Sequence, residues 1–217
     1  MSAPLPLVVG ISGASGVVFG VRLLEILREL GVPAYLVMSR SAEITLAHET
    51  DLKVADVHAL AQRTYAQSDI AAAISSGSFR TQGMIVAPCS MRSMAEIASG
   101  ATTGLLTRAA DVTLKERRRL VLLVRETPLH TGHLRTMTAL SEIGAIIAPP
   151  VPAFYARPKD LDEMIDHTLG RTLDLFGIES GRVRRWRFDE ADGQSPRKAS
   201  SKRATGSSAN GRSRAAP

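Results

Sequence analysis

The chain has 217 residues, 44% of them hydrophobic, with 27 Lys and Arg against 21 Asp and Glu for a formal charge of +6. That length and apolar content suit one domain with one good core and exclude a chain too polar to fold. The charge excludes little, because over residues 191–217 Arg197, Lys198, Lys202, Arg203, Arg212 and Arg214 against Asp192 carry five of the six net charges, leaving the remainder almost neutral.

Residues 1–6 lack the basic region of a signal peptide, and no apolar run reaches the roughly 20 residues that span a bilayer. Residues 5–11 are apolar and read as a first strand. Gly10-Ile11-Ser12-Gly13-Ala14-Ser15-Gly16 follows, opening onto 17–30, which has helical spacing. Its glycines fit neither the dinucleotide fingerprint nor the P-loop, and the P-loop lysine is missing. A dinucleotide or nucleoside triphosphate is therefore disfavoured. The Ser12 and Ser15 hydroxyls and the backbone N–H groups at a helix start suit one phosphate or a polar ring edge. The plainer alternative is a tight turn with no ligand.

Residues 34–38 read as a second strand ending at Ser39, and 41–49 as a helix ending at Glu49. The stretch 66–83 is polar and rich in Gly and Ser, and is expected to be a loop that folds over the site. Residues 84–87 are a third strand. After it, Pro88-Cys89-Ser90-Met91-Arg92-Ser93 opens the helix 91–98, so that Ser90 and Ser93 bracket a second anion-friendly turn. Cys89 is read as packing, and a lone cysteine excludes an intramolecular disulfide and fits a reducing cytoplasm.

The helix 104–118 carries Arg108, Lys115 and Arg117 to Arg119, mostly a solvated face. Strand 120–124 ends in Arg125 and Glu126. Burying that carboxylate unpaired would be costly, so the pair either forms a bridge or faces a crevice, and strand alternation favours the crevice. Helix 132–143, strand 145–148 and helix 161–176 complete the pattern. Before the last helix, the Pro-rich stretch 149–158 holds Tyr155. Arg171 lies on the helix itself, and a phenol with a guanidinium suits a small phosphoester. Asp162, Glu163 and Asp166 mimic an acidic magnesium-diphosphate motif, but Asp160 and Asp162 more simply open a helix. His130 and His133 have no acidic partner in the pattern, so zinc is not expected.

Alternating strands and amphipathic helices argue for an α/β fold, a mostly parallel sheet with helices on both faces. The turns at the carboxyl ends of the strands should then converge on one crevice. Two anion-friendly turns and few aromatics suggest a mononucleotide across the strand ends. Residues 191–217 have no large apolar residue and are expected to be disordered, a solubilising extension that can alternatively bind nucleic acid or an anionic membrane.

In order along the chain, GISGASG, PCSM, GLLTRAADVTLKERR, VRETPLH and PPVPAFYARP resemble the UbiX family of flavin prenyltransferases, over about residues 7–186. The resemblance implies a Rossmann-like three-layer subunit, 1–186, followed by a basic tail, 187–217. It also implies a homododecamer with sites between subunits. Such enzymes join the dimethylallyl group of dimethylallyl phosphate to N5 and C6 of reduced FMN without a metal, and the product serves UbiD-type decarboxylases. By resemblance, Gly13, Ala14, Ser15, Ser39, Ser90, Met91, Arg92, Ser93 and Arg125 hold FMN. Lys115, Tyr155, Arg171 and Trp186 surround the prenyl donor, and Ser15, Glu49, Lys115 and Glu126 serve catalysis. Two other readings share part of the pattern: an FMN-dependent cysteine decarboxylase, whose histidine base is not evident here, and a non-catalytic FMN-binding subunit.

Overall fold

Six strands form one sheet in the order β3-β2-β1-β4-β5-β6, every neighbouring pair parallel. In chain order the elements of this computed structural model, which describes residues 4–186, are β1 (Leu7–Ile11), α1 (Val18–Glu29), β2 (Ala34–Met38), α2 (Arg40–Glu49), α3 (Val54–His58), β3 (Arg63–Tyr65), β4 (Gly83–Cys89), α4 (Met91–Ser99), α5 (Leu105–Lys115), β5 (Arg119–Val124), α6 (Thr131–Glu142), β6 (Ala145–Ile147) and α7 (Leu161–Asp174). Two 3-10 turns, Ala73–Ser75 and Phe154–Ala156, lie in the connections. The chain divides into two units, Met1–Arg184 and Arg185–Pro217. The first carries the whole sheet; the basic tail 187–217 lies outside the described residues.

Strand alternation sorts the core into two layers. Leu7, Val9 and Ile11 of β1 pack with Leu23, Leu24 and Leu27 of α1 and Ile165 and Leu169 of α7. Val8, Met84 and Val86 face the other way, onto Met94 of α4 and Leu105 and Ala109 of α5. With both faces covered, the strands need continuous apolar sequence rather than alternation, which is why they were legible as runs. Gly20 lets α1 settle on β4: a Cβ there would lie 2.4 Å from the carbonyl oxygen of Ala87.

From β1 the chain works outward to β2 and β3, then returns to β4 and works outward the other way. The order therefore reverses between β1 and β4, the place where open α/β sheets bind ligands at the strands' carboxyl ends. The 66–83 stretch corrects the expectation of a lid. It runs along α5 as a strap: Gln67 accepts from the Leu105 and Leu106 amides at one end of that helix, and the Gly77 and Phe79 carbonyls accept from Arg118 beyond the other. Ile74, buried against α5, anchors the middle.

Candidate active site

The turns after β1 and β4 are fastened across the point of reversal. Ser12 is buried, and its hydroxyl donates to the Pro88 carbonyl at 2.9 Å and accepts from the Ser90 amide at 2.7 Å. It is thus a cross-strand tie and not an open ligand hydroxyl, which corrects its reading as a phosphate donor. Gly13 packs on the first turn of α2, where a Cβ would lie 2.2 Å from Cβ of Ser41. Any side chain at 13 would push the loop off α2, so the glycine is set by this close approach.

The start of α1 is already satisfied from within the chain. Glu49, at the end of α2, accepts from the Gly16 amide at 2.9 and 3.1 Å and from the Val17 amide at 2.9 Å. Burial alone would push its carboxyl up. The Ser15 hydroxyl, the Val17 and Gly16 amides and the Arg125 charge outweigh that and hold it below its usual range. The start of α1 therefore already holds a carboxylate of this chain, unlike the starts of α2 and α4. Ser39 caps α2, accepting from the Ala42 amide at 3.1 Å, and Ser90 caps α4, accepting from the Ser93 amide at 3.2 Å. The amides of Met91 and Arg92 are the first two of α4 and have no carbonyl within the helix to reach. Arg92 contributes only that amide, since its guanidinium turns along the helix to Glu96 at 2.8 Å.

Arg125 and Glu126 leave β5 beside this crevice. The Arg125 amide donates to the Cys89 carbonyl at 3.1 Å, joining the ends of β5 and β4. Its charge acts on Glu49, and the Glu126 carboxylate accepts from the Thr127 amide at 2.9 Å. Tyr155 and Arg171 form a second group. The Tyr155 ring meets His167 of α7 edge-on at 5.7 Å, and Arg171 follows His167 by four residues on the same helix face. Arg171 pairs with Asp174 at 2.7 Å.

Lys115 stands apart from both groups. It ends α5, pairs with Glu116, and lies beside Gly77 where the chain enters β5. About 17 Å of strand runs from there to Arg125 and Glu126 at the opposite end of the sheet, beyond the reach of a lysine side chain. Within one chain, then, Lys115 cannot join the crevice. Trp186 belongs to the second unit.

Two cavities bear on the ligand. One of about 650 Å³ adjoins the Ser39 turn outside β2 and β3, lined in part by Met38, Arg40, Glu43, Tyr65, Gln67 and Thr103. The other, of about 370 Å³, is lined by Asp160, Asp162, Glu163 and Asp166 together with His167, Arg182 and Arg184. Those acids serve the helix and its packing. Asp160 accepts from the Glu163 amide at 2.8 Å, and Asp166 holds Arg22 at 2.6 Å. Among the described residues no group of three or more His, Cys, Asp or Glu is placed to hold a metal ion.

Residues 1–172 match the Flavoprotein family. The flavin prenyltransferase UbiX of Escherichia coli K12 is 59% identical over 173 residues, covering 79% of this chain and 92% of that protein. The chain belongs to the UbiX family of flavin prenyltransferases. Its fold matches that of AnUbiX (PadA1) in complex with FMN and dimethylallyl pyrophosphate, with a TM-score of 0.83 at 49% identity over 85% of this chain and 98% of that one. It likewise matches a dodecameric FMN-dependent UbiX-like decarboxylase from Escherichia coli O157:H7, with a TM-score of 0.82 at 51% identity over 84% and 99%. Likeness to the cysteine decarboxylase TvaF, 17% identical over 68% of this chain and 91% of that one, extends to the fold alone, with a TM-score of 0.57. In this chain the crevice between β1 and β4 brings together the starts of α2 and α4 and the Arg125 charge.

Proposed function

We propose that the chain joins the dimethylallyl group of dimethylallyl phosphate to N5 and C6 of reduced FMN, without a metal, making the prenylated FMN used by UbiD-type decarboxylases. The observation that carries this is the convergence of the β1, β2 and β4 turns with Arg125 at the reversal of a sheet whose sequence is that of the UbiX family. When bound, reduced FMN supplies the nucleophilic ring edge. Gly13, Ala14 and Ser15, the Ser39 turn, Ser90 to Ser93 and Arg125 hold it, with helix starts and a guanidinium offsetting the phosphate charge. Ser15 and Glu49 brace one another at the ring side of the crevice.

A monophosphate leaves slowly unless its charge is offset and its oxygen hydrogen-bonded. Arg171 and Lys115 supply charge, Tyr155 a phenolic donor, and Glu126 a carboxyl that exchanges a proton with the reacting groups. Because Lys115 lies at the far end of its own sheet, the lysine of a site comes from a neighbouring subunit, in keeping with a dodecamer. We place the protein in the cytoplasm, where a lone cysteine stays reduced; burial pushes the Cys89 thiol up to about 12, and no helix among the described residues is long and apolar enough to cross a membrane.

The test is anaerobic. Protein incubated with reduced FMN and dimethylallyl phosphate, in the presence of a chelator, is expected to release a flavin heavier by one five-carbon unit. Unchanged FMN from protein that binds it would overturn the assignment and turn attention to thiol-substrate decarboxylation.

A further inference from the structure

Tyr155, 43% exposed, sits in a single 3-10 turn between Pro152 and Pro158. A turn this short fixes the backbone but not the direction of a phenol. Two contacts add to what the turn provides, and both lead to Arg184. The Arg184 guanidinium donates to the Ala156 carbonyl, in the turn itself. The Arg184 carbonyl lies 3.3 Å from Nε2 of His167. A carbonyl only accepts, so Nε2 carries the proton. The His167 ring, 6% exposed and held in this way, is the surface that the Tyr155 ring meets at 82°.

We propose that Arg184 and His167 are positioning residues for the prenyl donor. Arg184 joins the turn that bears Tyr155 to the helix that bears Arg171, so that phenol and guanidinium are presented together to one phosphate. This rests on the assignment of Tyr155 and Arg171 to that phosphate. It also gives the segment just before the basic tail a task separate from FMN binding. The neighbouring Arg182 provides a control within the same segment. It bonds Asp166, Glu29 and the Ser180 carbonyl, which ties the segment to α1 and α7 without touching the turn.

The experiment compares Arg184→Ala, His167→Ala, His167→Phe, Arg182→Ala and Tyr155→Phe in the full-length protein. It reads the KM for dimethylallyl phosphate, kcat, the FMN Kd by fluorescence titration, and Tm. Arg184→Ala and His167→Ala are expected to raise the donor KM about tenfold, the order that follows loss of a charge-assisted hydrogen bond. Their FMN Kd stays within about twofold, inside the scatter of surface changes. His167→Phe keeps the edge-on ring but loses the bond to the Arg184 carbonyl, and restores the donor affinity in part. Arg182→Ala lowers Tm and leaves the donor KM in place. A wild-type donor KM in Arg184→Ala and His167→Ala, alongside a raised one in Tyr155→Phe, would overturn the positioning role alone. A wild-type donor KM in Tyr155→Phe would overturn the phosphate assignment, and the positioning role with it. If Arg184→Ala does not fold, the His167 pair decides the matter, because Ala removes the ring contact and Phe keeps it.

Discussion

Two carboxylates near the crevice have different tasks, and their partners separate them. Glu49 is held by the Ser15 hydroxyl and two backbone amides at the start of α1, an arrangement that favours its ionised form. Its folded pKa therefore lies below the ordinary 4.5, so its contribution to stability is present above that pH and fades as pH falls through the folded value. Urea unfolding of the wild type and of Glu49→Gln should differ at pH 7, and the difference should shrink on acidification below about pH 4.5. A constant difference would mean that Glu49 is not the ionised cap. Among the described residues Glu126 accepts from the adjacent amide of its own turn, and in the proposed reaction it is the carboxyl that serves chemistry. Glu126→Gln should keep FMN binding and lose about 10²-fold or more in turnover, the scale of general acid–base catalysis. Wild-type turnover in that variant would remove Glu126 from the mechanism. Sequence could name both acids but not sort them, since Glu49 meets its partners 33 residues away in the chain. Ser12 was misread for the same reason: its partners are 76 and 78 residues away.

Among the elements, β2 was legible to the residue and the longer helices to within a few residues, because buried parallel strands and amphipathic helices carry strong periodicity. Four elements were missed, the 3-10 turn Phe154–Ala156 in its Pro-rich stretch among them. The strand β3 has three residues, one of them Arg63, and α3 has five, too few to show a period. The 3-10 turn Ala73–Ser75 is anchored by Ile74 amid Gly and Ser, so its packing could not be read from local composition. The helix α5 stops earlier than its spacing suggested, and the cause is visible. Arg117 adopts φ 57°, and the Arg117 and Arg118 amides close onto the Leu114 and Thr113 carbonyls in the arrangement that usually ends on glycine. An arginine in that conformation is strained by about 1 kcal/mol. Arg117→Gly should therefore raise Tm by about 2–4 °C, read by thermal unfolding at fixed protein concentration. An unchanged or lowered Tm would show that the Arg117 side chain makes up for the strain.

At the scale of the whole molecule, the separation of Lys115 from the crevice is the fact that one chain cannot explain alone. Sequence placed Lys115, Glu126, Tyr155 and Arg171 in one site by resemblance, but it could not say that Lys115 points from the wrong end of its own sheet. The basic extension is a separate matter: deleting 191–217 should leave turnover and assembly unchanged, and a dead or disassembled truncation would show that it is structural. For the site itself, subunit mixing is decisive. Lys115→Ala and Glu126→Gln should each inactivate a homogeneous assembly. When the two chains are co-expressed and purified together through different tags, a site that draws its glutamate from one subunit and its lysine from the next is intact wherever a Lys115→Ala chain meets a Glu126→Gln chain in the right order. With random assembly that is about a quarter of the sites, so activity near a quarter of wild type is expected. If lysine and glutamate acted within the same chain, every chain in the hybrid would lack one of them. The mixed assembly would then be as inactive as its parents, and the supply of Lys115 by a neighbouring subunit would be overturned.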